Sequence, residues 1–333
     1  MKFLTQILCV FLFMAAMSAE QAAPRAKIPV ILDTDIGDDI DDTWALMLAL
    51  SSPELDLKLV VGDYGRPLQR ARLLGKLLEA VGRADIPIGL GVEASCAGDF
   101  RQEKWIEGYE LDQYPGKVHR DGVQAIIDLL MNSPQPVTLL CIGPLPNIAE
   151  ALRREPRIVE KAHFVGMHGS VRLGYDGKPK AVAEWNVKCN PAACRAALSA
   201  PWEITITPLD TCGLIRLKGE KFTRVRDAAN PMARVLMENY RAWTDWNIAH
   251  GQKGPDPAAA SSTLYDCAAV YLAISRELCV IEPLRLRVDD DGFTREDAGA
   301  RRMNVATRWK DLPAFESFIV ARLAGKAPEP PRH

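Results

Sequence analysis

The stretch IPVILDTDIGDDIDD, residues 28–42, joins two unlike pieces of sequence. Its first six residues are a continuous apolar run closed by Asp33, the pattern of a strand buried on both faces rather than one that alternates. Its last ten, from Asp33 to Asp42, hold six carboxylates. Residues 42–51, DTWALMLALS, then read as a helix with acid at its N-terminus, where the helix dipole favours it. A buried strand running into a helix is how an α/β sheet begins, and in such sheets ligands bind beyond the carboxyl ends of the strands. Six carboxylates crowded at that place repel one another unless something positive sits among them.

Outward from this stretch the same alternation continues. Strands are expected at 57–62, 86–90, 137–142, 162–167 and 203–207, with helices at 68–81, 122–131, 147–153 and 192–198. The pattern predicts an α/β fold with one central, mostly parallel β-sheet flanked by helices. Past residue 215 the strands thin out. Helices are expected at 222–227, 231–250, 264–275 and 312–323, and a hairpin between 284–288 and 301–307 around the acidic turn 289–292. No repeat and no linker calls for two independent domains. One domain is therefore expected over 28–326, after a short lead at 20–27 and before a Pro-rich flexible tail at 327–333.

The 333 residues carry 41 Lys+Arg against 43 Asp+Glu, and 48% are apolar, which describes a globular chain and argues against disorder. That near-balance leaves no basic footprint, so a nucleic-acid partner is not expected. Residues 1–19 have the form of a secretory signal peptide: Lys2, an almost wholly apolar run from Phe3 to Met17, and small residues Ala16, Ser18 and Ala19 at the cleavage end. The mature chain is expected to be exported, periplasmic or secreted, with no stable membrane insertion after cleavage. Seven of the eight cysteines lie beyond the signal, none in a C-x-x-C spacing, which argues against zinc. Export permits disulfides, and a Cys189–Cys194 bridge is one reading, although Pro191 between them begins a helix. The other is that the cysteines are small buried hydrophobes.

Several chemistries compete for the acids at 33–42. Hard cations such as Ca²⁺ take several carboxylate and carbonyl oxygens and need no Cys or His. An EF-hand needs Glu at the twelfth loop position, which counted from Asp33 is Trp44. A haloacid-dehalogenase-like phosphatase accounts for Asp33 and Asp35 but not for the later acids. A solvated helix cap accounts for one or two.

In detail, D-T-D-x-G-x-D-x-D-D-x-x-A-L resembles the first strand and loop of the inosine–uridine-preferring nucleoside hydrolases. Val60-Val61-Gly62-Asp63 is similar to the family's second strand, which usually ends Gly-Asn. Gly143-Pro144-Leu145-Pro146-Asn147-Ile148 resembles its G-P-L-T-N-I, and Val165-Gly166-Met167-His168-Gly169 its M-G-G stretch. Ala183-Glu184-Trp185-Asn186 is similar to A-E-F-N, and Tyr265-Asp266 falls where the family usually has His-Asp. The order and spacing of these motifs cover most of the mature chain.

The resemblance implies a Rossmann-like open domain, the nucleoside hydrolase fold. It implies calcium-dependent hydrolysis of the N-glycosidic bond of ribonucleosides to ribose and free base. Asp35 would ligate Ca²⁺ and act as general base for the water, with Asp33 orienting the cluster. Asp42, Asp266 and the main-chain carbonyl of Pro146 would complete the protein ligands. Glu184 and Asn186, two apart on an expected extended segment, would bind ribose hydroxyls from one face. Asp41 or Asp39 would bind the 2′ or 3′ hydroxyl, Met167 would line the sugar pocket, and Trp185 would turn away into packing. Asp63 would be among the residues that bind the substrate, adding charge near the metal. Tyr265, in place of His, is a poor acid at neutral pH. That leaves His168, Trp246 and Tyr240 as further candidates for helping the base depart. A homo-oligomer, dimer or tetramer, is implied as well. A modified nucleoside or another N-riboside as substrate, and a non-catalytic calcium-dependent nucleoside or sugar binder, are the alternatives.

Overall fold

The computed structural model describes residues 26–94, 98–252 and 254–325; the signal at 1–19 and the tail at 327–333 lie outside them. Strand and helix alternate through the first two thirds. The elements are β1 (Ile28–Thr34), α1 (Asp41–Leu50), β2 (Leu55–Gly62), α2 (Pro67–Ala80), β3 (Ile88–Gly89) and β4 (Val118–His119). Then come α3 (Gly122–Asn132), β5 (Val137–Cys141), α4 (Pro146–Arg154), β6 (Ala162–Met167), α5 (Trp185–Cys189), α6 (Pro191–Ser199) and β7 (Glu203–Thr207). The last third holds α7 (Leu209–Cys212), α8 (Gly219–Arg226), α9 (Pro231–Ala249) and α10 (Cys267–Ile274). The chain closes with β8 (Cys279–Val288), β9 (Thr294–Glu296), β10 (Arg302–Trp309) and α11 (Leu312–Ala324).

All ten strands form one sheet in the order β4-β3-β2-β1-β5-β6-β7-β10-β8-β9. Every neighbouring pair from β4 to β10 is parallel, while β10–β8 and β8–β9 are antiparallel. The chain leaves β1 for β2, β3 and β4 on one side and later builds β5, β6 and β7 on the other. The reversal lies between β1 and β5, where Asp33 is level with Cys141. At that point the loops leaving two adjacent strands part in opposite directions and open a crevice.

Alternate residues of β1 serve opposite faces, which is why its apolar run is unbroken. Val30 and Leu32 pack with α1, α9, α10 and α11; Ile31 packs with α3, α4 and α6 on the other side. Helix α1 is buried from Asp41 through Ala49, and its Trp44 meets the rings of Phe222 (6.5 Å) and Tyr240 (6.1 Å). Each such large side chain contributes about 1.5–3 kcal/mol by leaving water. That burial fixes α1, and with it the acids at its start.

Two expectations are corrected, and one open reading is decided. The acidic turn at 289–292 joins β8 to β9, not to β10. Strand β8 has ten residues, enough to pair with β10 along its first part and with β9 along its last three. Glu184 and Asn186 are not on an extended segment: Glu184 is the N-cap of α5, which has only five residues and so shows no helical period. Cys189 and Cys194 are both free thiols; Cys194, on α6, is buried with its Sγ 3.5 Å from Pro144 O, just before α4, and from Asn186 O, on α5.

Candidate active site

A cavity of about 250 Å³ opens at the carboxyl end of the sheet, over the β1/β5 reversal. Asp35, Asp38, Asp39, Asp41, Asp42, Glu184 and Asp266 all line it, together with Ile142, Met167, Tyr175, Trp185, Asn186, Tyr265, Gly98 and Arg101. That volume suits a small molecule.

The acids reach the cavity because the loop after β1 is folded back on itself. Gly37 sits at φ +119°, and a Cβ there would lie 2.1 Å from the Phe100 ring, so only glycine allows the turn. Arg70, on α2 and fully buried, reaches under the loop. It donates to the carbonyls of Asp35, Ile36 (2.8 Å), Tyr64 (3.1 Å) and Gly65 (3.1 Å), and pairs with Asp38 at 3.4 Å. Its guanidinium fork organises the backbone more than it neutralises the acids.

Asp41, Asp42 and Asp266 form the tightest group: their carboxylate oxygens lie within 4.8 Å of one another and all three side chains are buried. Asp41 and Asp42 are in the first turn of α1, and Asp266 is the residue before α10. Thr34 Oγ1 donates to Asp42 Oδ1 and orients it. Burial, and then the neighbouring carboxylates, push the carboxyls of Asp41, Asp42 and Asp266 well above the ordinary range. Burial also raises Asp35, against the pull of Arg70. Such a site gains by taking up a cation with oxygen preference, and its donors fit one.

The expected positions divide into those the fold brings to the cavity and those it does not. Asp35, Asp39, Asp41, Asp42, Asp266, Met167, Glu184, Asn186 and Tyr265 reach its wall. Asp41, which with Asp39 is a candidate for binding a hydroxyl, lines the cavity beside Asp42 and Asp266, while Asp35 faces the same space outside that tight group. Pro146 does not reach the wall. It is the first residue of α4, and Ile142, at the end of β5, lines the cavity in its place. Asp63 and Asp33 lie beneath. Asp63 accepts from the backbone N–H of Leu145 (2.7 Å) and Asn147 (3.2 Å), anchoring the left-handed Leu145 at the start of α4. Burial raises Asp63 to about 6. Asp33 Oδ1 accepts from Asn147 Nδ2 (2.8 Å), and burial and the adjacent Asp63 raise its pKa.

Glu184 accepts from Gly169 N (2.9 Å), Asn186 N (2.8 Å) and Val187 N (3.3 Å) while lining the cavity, and burial pushes it up to about 7. Asn186 Nδ2 donates to Ile142 O (3.1 Å) and Met167 O (3.0 Å), tying α5 to the ends of β5 and β6. Trp185 does not turn away into packing: it is 38% exposed at the cavity wall, and its backbone N–H donates to the Tyr175 hydroxyl (2.9 Å). Tyr175 in turn stands edge-on to Tyr265, with centroids 6.0 Å apart. Burial raises the Tyr265 hydroxyl, so it keeps its proton.

His168, Trp246 and Tyr240 are not on the cavity wall. His168 is buried with Nε2 2.9 Å from Gly143 O, and Tyr240 is core, its hydroxyl donating to Ala260 O (2.9 Å). Sequence reasoning missed Arg70, Tyr175 and Arg101. Arg70 falls within the apolar period of its helix, which was the available signal that it is buried.

The model of the family described as inosine-uridine preferring nucleoside hydrolase matches residues 30–317, and this chain belongs to that family. It is 31% identical over 246 residues to a curated relative from Enterobacter sp. (strain 638), "Pyrimidine-specific ribonucleoside hydrolase RihA", covering 69% of this chain and 77% of the relative. It is 27% identical over 275 residues to "Non-specific ribonucleoside hydrolase RihC" of Klebsiella pneumoniae, covering 80% and 85%. These relatives are ribonucleoside hydrolases, enzymes that act on N-glycosyl bonds. Among solved structures, the fold is shared with a purine-preferring ribonucleoside hydrolase from Gardnerella vaginalis, at TM-score 0.73, 24% identity and coverage of 89% of this chain and 98% of that one. A plant nucleoside hydrolase, PpNRh1, also matches at TM-score 0.73, with 22% identity and coverage of 90% and 100%.

Proposed function

We propose that this protein is an exported, calcium-dependent hydrolase of the N-glycosidic bond of ribonucleosides, releasing ribose and free base, with Asp35 as the base that activates water. The observation that carries the reading is the convergence of Asp41, Asp42 and Asp266 within 4.8 Å in a cavity that Asp35, Glu184 and Asn186 also line. A bound calcium ion would supply a fixed charge that orients the ribose diol and a water.

The chain's residues do the rest. Breaking C1′–N leaves a ribosyl cation, and the surrounding carboxylates stabilise that positive charge as it develops. Asp35 accepts a proton from the water as its oxygen bonds to C1′. Burial raises the Asp35 carboxyl in the metal-free site, and a cation beside it would work against that rise and keep the carboxylate ionised to take the proton. Glu184 and Asn186, held by the start of α5, hydrogen-bond the ribose. Ile142, which lines the cavity where Pro146 does not, would supply the main-chain oxygen. The pyrimidine-specific, non-specific and purine-preferring names of the relatives differ, so the base is left to experiment.

Purified mature protein with Ca²⁺, given a panel of ribonucleosides, is expected to release free ribose. Binding without ribose from any riboside would favour the non-catalytic binder that Tyr265 in place of His suggests. Release only from a modified nucleoside or another N-riboside would narrow the substrate instead. Export is tested by N-terminal sequencing, with cleavage expected near residue 19, and a dimer or tetramer by light scattering.

A further inference from the structure

Arg101 is the only basic side chain among the described residues that line the cavity. The segment that carries it is fastened over the acidic loop. Arg101 N donates to Gly37 O (2.8 Å) and Gln102 Nε2 to Asp39 O (2.8 Å). The guanidinium lies over the Trp246 ring, 5.4 Å from its centroid, and Trp246 is itself stacked on His250 at 3.8 Å. Nη1 makes one long bond, 3.4 Å, to Asn247 Oδ1, and Nε is buried with no hydrogen-bond partner. A buried donor without an acceptor is unusual and calls for a reason. The sealed Nε cannot reach a ligand as it stands, so the donors open to one are on the outer Nη atoms of a guanidinium held against the Trp246 ring.

We propose that Arg101 donates hydrogen bonds to the departing base, so that a guanidinium stabilises the leaving group by charge where a histidine would protonate it. This rests on the hydrolase reading above. The carboxylates of Asp41, Asp42 and Asp266 suit the ribosyl end, which becomes positive. The base takes the electron pair of the C1′–N bond and becomes negative, so it is drawn to the guanidinium of Arg101, away from the carboxylates. Arginine does not give up its proton at working pH. It therefore stabilises the leaving base by charge and hydrogen bonding, without proton transfer. The water's oxygen bonds to C1′, one of its protons passes to Asp35, and the base nitrogen gains its proton from solvent after departure. The substrate class this favours is a ribonucleoside whose base carries an acceptor beside the scissile bond, such as purine N3 or pyrimidine O2. A merely structural Arg101, there to offset Asp38 and Asp39, makes no such distinction.

The test compares two leaving groups in wild type, Arg101→Ala and Arg101→Lys. Uridine and inosine need help to release the base; 4-nitrophenyl riboside does not. Arg101→Ala is expected to lower kcat/KM for uridine and inosine by about 10²–10³. It should change 4-nitrophenyl riboside less than about tenfold, and that activity also reports an intact fold. Arg101→Lys should fall between, and it carries the comparison should the alanine variant not fold. Equal losses on both substrate types, or none on the nucleosides, overturn the inference while leaving the hydrolase reading intact. A wild type inactive on every riboside overturns both.

Discussion

Two aspartates at the ends of neighbouring strands have opposite duties. Asp35 lines the cavity; Asp63, one strand over, faces away from it and holds the backbone at Leu145 and Asn147. Asp35→Asn is expected to lower kcat by about 10²–10⁴, the usual weight of a positioned general base. The melting temperature of the metal-free variant should equal or exceed that of the parent, because a repelling buried charge has gone. Asp63→Asn should do the reverse. Asn offers one acceptor oxygen to two N–H donors, so stability should fall by about 1–2 kcal/mol in thermal or denaturant melts, with KM for the nucleoside unchanged. A change in KM without loss of stability would return Asp63 to the substrate.

At the scale of elements, the central strands were legible because a strand buried on both faces is apolar throughout, as residues 28–32, 137–142 and 162–167 are. Short pieces were not. Strand β9 is three residues, two of them charged, and α5 is five, so neither carries a period. The acids were legible as a cluster, but which three converge depends on where α10 delivers Asp266 against the first turn of α1. Only packing decides that. The reach of Arg70 from α2 to the loop after β1 leaves no local trace either. Arg70→Met is expected to destabilise the fold by about 3–5 kcal/mol, since it strips four main-chain carbonyls and Asp38 of their buried donor. Equilibrium denaturation measures this, and a loss below 1 kcal/mol would mean that the loop holds itself.

Across the whole molecule the near-neutral charge hides a concentrated negative site, and its electrostatics predict an unusual pH response. Asp63 at about 6 and Glu184 at about 7 lie above their unfolded values of about 4, as do the other buried acids in direction. The folded state therefore binds more protons than the unfolded one, and this contribution to stability is lost as pH rises through 6 to 7. His168 opposes it: burial lowers it to about 4, so its contribution is lost as pH falls from about 6.5 toward that value. One histidine faces several acids, so the metal-free protein should melt higher at pH 5.5 than at pH 8. Calcium replaces protons, so its stabilising shift should be larger at pH 8. Differential scanning fluorimetry with chelator and with excess Ca²⁺ reads both; an equal shift at the two pH values would count against a carboxylate site.

The most direct test of the central claim is ribose release from ribonucleosides before and after the metal is stripped from the purified mature chain. The account predicts turnover that vanishes on chelation and returns with added Ca²⁺. Undiminished turnover in protein shown by elemental analysis to hold no metal would contradict it.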